Sequence, residues 1–266
     1  MKLIDVHAHL TDEWFADVED VLARAGENGV EKVITAGYDF SSSKQAVDLA
    51  ERHAQIFATV GIHPENIEDF DEISIKNLKK LAKNEKVVAI GEVGLDYHFF
   101  DGMTEDEISK RKELQKQAFA EQINLANELG LPIVVHCRDA MGDTLELLKK
   151  NLPKMPSLMH CYSGSFESAE ILIKMGFSFS FGGVVTFKNA KNVQALIPKL
   201  PFGRIMLETD CPYMTPEPFR GKRNEPKNVV YVADAIARLK ETTFEEVAKV
   251  TSENAEKVFF SHGGRS

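Results

Sequence analysis

The sequence predicts a (β/α)8 TIM barrel, and three observations predict it. Eight short runs rich in β-branched residues alternate with eight longer amphipathic stretches along the chain. The chain has 266 residues, and about 250 is usual for such a barrel. Its conspicuous polar residues fall where the strand-like runs end, the face on which barrel sites are built. A doubly wound open sheet shows the same alternation, but the barrel accounts better for the number of units and for the placement of the polar groups.

The strand-like runs are 3–6, 32–35, 56–60, 87–90, 133–135, 157–159, 178–181 and 204–207. The helix-like stretches are 11–28, 41–53, 71–83, 104–129, 140–151, 166–175, 190–199 and 226–239. Gly29, Gly130 and Gly176 each stand just past a helix-like stretch, where a left-handed cap favours glycine. A further helix over 243–260 follows the barrel, with Thr242 and Thr243 ahead of Glu245 and Glu246 as an N-terminal capping pattern, and is expected to pack outside it. Residues 1–260 read as one domain, and the small polar tail 261–266 as disordered.

Forty-one acidic residues against 32 basic ones give a net charge of −9. That excludes a protein that coats nucleic acid or membrane through bulk positive charge, though not one with a local basic patch. Cys137, Cys161 and Cys211 are too few and too dispersed for a disulfide framework. Each follows a candidate metal ligand, so strand alternation turns the thiols outward under the covering helices. Asp5 and His7 interrupt the first apolar run, where a signal peptide would be unbroken. No apolar stretch approaches the roughly 18 residues of a membrane span. The chain reads as cytoplasmic, with no membrane partner, and as a monomer.

The polar residues at the strand ends carry the chemistry. His7 and His9 close the first strand, and two residues apart they face one side of an extended chain. Glu92 follows the fourth strand, His136 the fifth, His160 the sixth and Asp210 the eighth. Four histidines and two acids at one rim would be costly to satisfy separately, whereas a metal centre satisfies them together. Imidazole with carboxylate suits zinc, manganese, iron or nickel, while magnesium favours oxygen. Six ligands exceed the three that one catalytic zinc takes, and suit two divalent ions roughly 3.5–4 Å apart. The expected division puts His7, His9 and Asp210 on one ion and His136 and His160 on the other, with Glu92 bridging. Such a centre makes hydroxide from water for hydrolysis, and Asp210 is placed to act as general base beside the catalytic Glu92 bridge.

Seven motifs then resemble one family. Asp-Val-His-Ala-His-Leu (5–10), Gly-Ile-His-Pro (61–64), Gly-Glu-Val-Gly-Leu-Asp-Tyr (91–97), His-Cys-Arg-Asp-Ala (136–140), His-Cys-Tyr-Ser-Gly-Ser (160–165), Glu-Thr-Asp-Cys-Pro-Tyr (208–213) and Arg-Gly-Lys-Arg-Asn-Glu-Pro (220–226) closely resemble the TatD family of metal-dependent deoxyribonucleases, among the amidohydrolase-like barrels. The resemblance runs in order over nearly the whole chain. It implies a barrel with a one- or two-metal site and magnesium-dependent 3′-to-5′ exonuclease activity on DNA. Every ligand position of the family is filled, by His7, His9, Glu92, His136, His160 and Asp210. Similar proteins have also been assigned other hydrolyses, including deacylation of D-aminoacyl-tRNA, so RNA and tRNA stand beside DNA as substrates.

Other residues are candidates for substrate contact. His63 could hold a phosphate or a metal-bound water, or simply bond to backbone. Arg138 faces the same way as His136 and could clamp a phosphate, or pair with Asp139 or Glu208. Asp96 is expected to orient a ligand histidine, and Glu208 to stand with it behind the ligands. Ser163 and Ser165 could donate to an anion or serve as turn residues. Arg220, Lys222, Arg223 and Lys227 against Glu225 make a local charge of +3 in the loop after the last strand, where it can meet the backbone of single-stranded or frayed DNA. Tyr97, His98, Phe99 and Phe100 could stack on bases or cap the barrel.

Overall fold

A computed structural model describes residues 2–68, 70–98 and 100–261. The expected tail falls outside the described residues except for Ser261, as do Phe99 and His262.

The strands are β1 (Leu3–Ala8), β2 (Val30–Ala36), β3 (Ile56–Val60), β4 (Val87–Asp96), β5 (Ile133–Arg138), β6 (Ser157–Met159), β7 (Phe177–Phe181) and β8 (Ile205–Leu207). They pair in parallel in sequence order, forming an eight-stranded, nearly closed barrel. Between them run α1 (Val18–Glu27), α2 (Phe40–Arg52), α3 (Glu72–Leu81), α4 (Glu105–Leu129), α5 (Met141–Lys150), α6 (Phe166–Lys174) and α7 (Lys191–Leu196), and α8 (Val229–Leu239) and α9 (Phe244–Ala255) follow β8. No described helix is long and apolar enough to cross a membrane.

Local chemistry sets the helix boundaries. Asp39, Asp71, Thr104, Ser165 and Thr243 each accept a backbone N–H of the first turn of α2, α3, α4, α6 and α9, filling donors the helix cannot. Gly130 closes α4 at a φ of 63°, a conformation costly for other residues. The expected helix over 11–28 begins only at Val18. Asp12 draws the chain into a turn instead, its carboxylate accepting the Trp14 N–H at 3.1 Å, so residues 11–17 form a loop at the barrel mouth.

Two apolar layers hold the fold. The larger lies between strands and helices and contains the fully buried Phe119, Phe177, Phe179 and Phe181. The smaller fills the barrel interior with Ile4, Val6, Ile34, Val88, Val134, Leu158 and Met206, joined by Val258 and Phe259. The expected outer helix is thus corrected at its end: the turn after α9 packs into the interior cluster, because Val258 and Phe259 are large apolar groups that water disfavours.

The seam between β1 and β8 closes differently. The Asp210 N–H donates to the His7 carbonyl at 2.9 Å, and the His9 N–H to the Cys211 carbonyl at 2.7 Å. The buried Asp5 carboxylate adds bonds from the Thr209 N–H at 2.9 Å and hydroxyl at 2.5 Å. Burial pushes the Asp5 carboxyl up to about 8 despite these bonds.

Irregularities aim side chains at the mouth. Between Asp5 and Ala8, β1 gains a residue over β2, and between Ile90 and Val93, β4 gains one over β5. Each bulge reverses the inward–outward phase, so His7 and Glu92 face the mouth. Gly94 lies just beyond, at a φ of 147° with its α-carbon against the His136 carbonyl. A Gly94→Ala variant is expected to lose about 3 kcal/mol of unfolding free energy, from strained backbone and overpacking together. Denaturant unfolding measures it, and a loss under about 1 kcal/mol would show that the neighbouring strand yields.

Candidate metal centre

The six expected ligands and His63 come together at the C-terminal ends of the strands. Glu92 is buried at their centre. Its Oε1 lies 2.9 Å from His136 Nδ1, 2.9 Å from His160 Nε2 and 3.3 Å from His63 Nε2. Its Oε2 lies 3.4 Å from His7 Nε2 and 3.7 Å from His9 Nε2. Asp210 Oδ1 stands 3.3 Å from His9 and 3.8 Å from His7. Each oxygen of one carboxylate therefore addresses a different group of imidazoles, the arrangement expected of a bridge. Three ligand-atom groups could each close on an ion, namely His7–His9–Glu92, His7–His160–Asp210 and His63–Glu92–His136.

Two observations test whether a cation fits. Two ligand atoms on one zinc-like ion are about 3.0–3.4 Å apart at octahedral or tetrahedral angles, from metal–ligand lengths near 2.1 Å, and most of these gaps fall in or near that range. His7 is buried, and neither of its ring nitrogens has a hydrogen-bond partner among the described residues. A buried polar atom left so is costly, and a cation resolves it. The site fits a divalent metal.

Other groups set ring orientation and charge. His136 Nε2 lies 2.8 Å from Asp96 Oδ2, which leaves Nδ1 toward Glu92, the support that ligand histidines commonly have. Glu208 is fully buried, accepting the Cys161 N–H at 2.7 Å and the Ser180 hydroxyl at 2.5 Å, 3.7 Å from His160 Nδ1. His63 Nδ1 accepts the Glu65 N–H at 3.2 Å, so the ring proton sits on Nε2, where it donates toward Glu92. Burial and neighbouring His160 hold His7 below its usual range, as a neutral ring. Burial opposes charge on His9, His136 and His160 too, but Asp210, Asp96, Glu92 and Glu208 outweigh it and raise all three. Burial likewise raises Glu92, and the surrounding imidazoles more than reverse it, leaving its carboxyl well below the usual range.

Backbone strain aims several groups. Asp139, Cys161 and Asp210 take φ values of 53°, 44° and 55°, a left-handed conformation that costs about 1–3 kcal/mol where nothing compensates. Cys161 corrects an expectation. β6 ends at Met159, so alternation no longer applies, and Cys161 lines a cavity of about 270 Å³ with His136, Arg138, His160, Ser163 and Asp210. Cys137 lines the same cavity while its thiol meets the Thr144 hydroxyl of α5, and Cys211 is buried.

The basic loop divides. Arg220 and Lys222 are exposed, with no ion pair among the described residues. Arg223 instead forks onto Asp17 at 2.7 and 3.0 Å, onto Glu225 at 2.9 Å and onto the Trp14 carbonyl at 2.6 Å. Arg223, expected to meet substrate, thus has its charge matched by two carboxylates of the protein itself. Ser165 caps α6, the turn role. Tyr97 bonds to Asp143 at 2.7 Å and His98 to Asp139 at 2.8 Å, so both lean onto neighbouring segments. Asp5 ties the seam beneath these ligands, a role its sequence signals only as an acid inside an apolar strand.

A family model described as TatD related DNase matches residues 4–260. The chain belongs to the TatD family. Among relatives, it is 45% identical to the uncharacterized metal-dependent hydrolase YabD of Bacillus subtilis (strain 168), over 97% of this chain and 98% of that one. It is 34% identical to the uncharacterized metal-dependent hydrolase YcfH of Escherichia coli (strain K12), over 100% and 98%. The crystal structure of YJJV, a TatD homolog from Escherichia coli K12, superposes with a TM-score of 0.88 at 30% identity, covering 97% of each chain. The protein is a metal-dependent hydrolase of this family.

Two outcomes are expected. Glu92→Ala is expected to lower metal content more than loss of any single histidine, because its two oxygens face different imidazoles; elemental analysis that finds metal content unchanged would take that role from Glu92. His9, His136 and His160 hold protons above the usual 6.5, and an ion must displace them. Metal affinity therefore falls as pH drops from 8 toward 6, with proton release on binding, read by calorimetry in buffers of different ionisation enthalpy. Binding at pH 6.5 without proton release would contradict this.

Proposed function

We propose that the protein is a deoxyribonuclease, and that residues 1–260 act as one hydrolase domain that removes nucleotides from single-stranded or frayed DNA ends in the 3′-to-5′ direction. The observation that carries the reading is the split geometry of Glu92, one oxygen toward His7 and His9 and the other toward His136 and His160, beside a cavity containing Arg138. His7, His9 and Asp210 would hold one divalent ion, and His136 and His160 the other, with Glu92 shared. The ions, magnesium, manganese or zinc, supply a polarised water and charge neutralisation at the scissile phosphate.

The chain's own groups do the rest. Asp210 accepts the proton of the attacking water, since its carboxylate is held low by His9 against the effect of burial and so is ionised and able to take it. His63 supports Glu92 through Nε2, and the Arg138 fork and Ser163 hydroxyl bind a phosphate oxygen. Asp96 and Glu208 keep His136 and His160 oriented. Arg220 and Lys222 supply positive potential at the rim of an acidic protein, which suits a grip on a few nucleotides.

A panel of 3′- and 5′-labelled oligonucleotides, RNA and D-aminoacyl-tRNA, run with magnesium, manganese and zinc, tests the assignment. Release of labelled 3′-terminal nucleotides from single-stranded DNA is expected. Turnover confined to D-aminoacyl-tRNA would replace the phosphodiester with an ester as the bond broken. Asp210→Asn is expected to lower kcat about 100-fold or more, in line with general-base contributions, and to leave KM nearly unchanged; loss of affinity with intact kcat would take the proton-accepting role from Asp210.

A further inference from the structure

Beside the metal centre lies a second, shallower groove of about 330 Å³, between the loop after β1 and the loop after β8. Trp14 and Tyr213 line it, and they are 56% and 51% exposed. Singly exposed apolar residues are ordinary, but two large aromatics side by side in one groove make a contiguous patch, the kind that marks a contact surface. Arg220 and Lys222 line the same groove. Arg220 lies over the Phe187 ring at 4.1 Å and Lys222 over Phe219 at 5.6 Å, and neither pairs with a carboxylate among the described residues. Two aromatic faces beside two cations match one nucleotide unit, an apolar base joined to an anionic phosphate.

The groove is prepared and connected. Asp12 accepts the Trp14 N–H at 3.1 Å and the Tyr213 hydroxyl at 2.8 Å, fixing the two aromatic residues from one carboxylate. Arg223 lines the groove as well and donates to the Trp14 carbonyl at 2.6 Å, holding that backbone in place. The Tyr213 ring centroid is 6.1 Å from that of His9, and the Tyr213 N–H donates to the Asp210 carbonyl at 2.9 Å. Met214 lines both this groove and the cavity of the metal centre, so the two are neighbours.

We propose that this groove is a nucleobase subsite, in which the base of a nucleotide flanking the scissile phosphate stacks on Trp14 and Tyr213 while its phosphate meets Arg220 and Lys222. The assignment rests on the nuclease reading and deepens it. Stacking accepts any base, because every base offers a π-face, so the subsite confers a preference for unpaired strands without a preference for sequence. A paired base has its faces covered by its neighbours and cannot enter.

Trp14 is the single tryptophan of the chain, so its emission reports the subsite directly. An oligothymidine titrated in the presence of chelator is expected to quench it saturably, and an oligonucleotide of equal length with abasic residues at its 3′ end is expected not to. With metal present, Trp14→Ala should raise KM for single-stranded DNA about 10-fold with kcat retained, within what one stacked base contributes. Trp14→Phe should restore most of the loss, and on the abasic oligonucleotide Trp14→Ala should match the unaltered protein. Equal quenching by both oligonucleotides, or a KM unchanged by Trp14→Ala, overturns the subsite. Cleavage of DNA with Trp14 emission unmoved removes the subsite and leaves the nuclease reading standing. Base-dependent quenching without cleavage under any metal keeps the subsite and removes that reading.

Discussion

A single buried carboxylate organises this molecule. Glu92 sits with five imidazoles around its two oxygens, and each of those rings belongs to a separate approach of the chain toward the barrel axis, save the pair from β1. Bringing such groups together is costly unless each is matched. The bulges in β1 and β4, the left-handed turns at Cys161 and Asp210, and the bonds of Asp96 and Glu208 all follow from that demand. The ordinary barrel geometry, with strict inward–outward alternation, would not deliver His7 and Glu92 to one point.

Much of this was legible in the sequence because the chemistry is written in residue types. Histidines and acids at strand ends are expensive, so their recurrence pointed to one rim. The two-residue spacing of His7 and His9 correctly put them on one side, although a bulge rather than simple alternation turns them inward. What the sequence could not convey was pairing at a distance. Arg223 stands among basic residues and reads as part of a substrate grip, yet Asp17, remote in sequence, folds back to neutralise it. Trp14 fell within an apparent helix, whose start an aspartate turn delays to Val18. Cys161 was judged by strand alternation where the strand had already ended.

The electrostatic design separates a cold body from a local grip. A net charge of −9 repels a polyanion at long range, so residence on duplex by bulk attraction is disfavoured. Attraction is confined to a few cations at the mouth, Arg138, Arg220 and Lys222, next to the metal centre. On the proposed nuclease reading, such an arrangement suits the end of a strand, where one or two phosphates approach while the rest stay in solvent.

The seam of the barrel joins segments from opposite parts of the chain, with Asp5 bonded to Thr209 across 204 residues. His7 and His9 come from one side of that seam and Asp210 from the other. During synthesis, a chain still short of β8 therefore contains all five imidazoles and Glu92 but lacks Asp210. Asp210, the proposed proton acceptor, joins them only when the segment after β8 closes the seam against β1, so the ligand cluster can gather before the group that would take the proton from water.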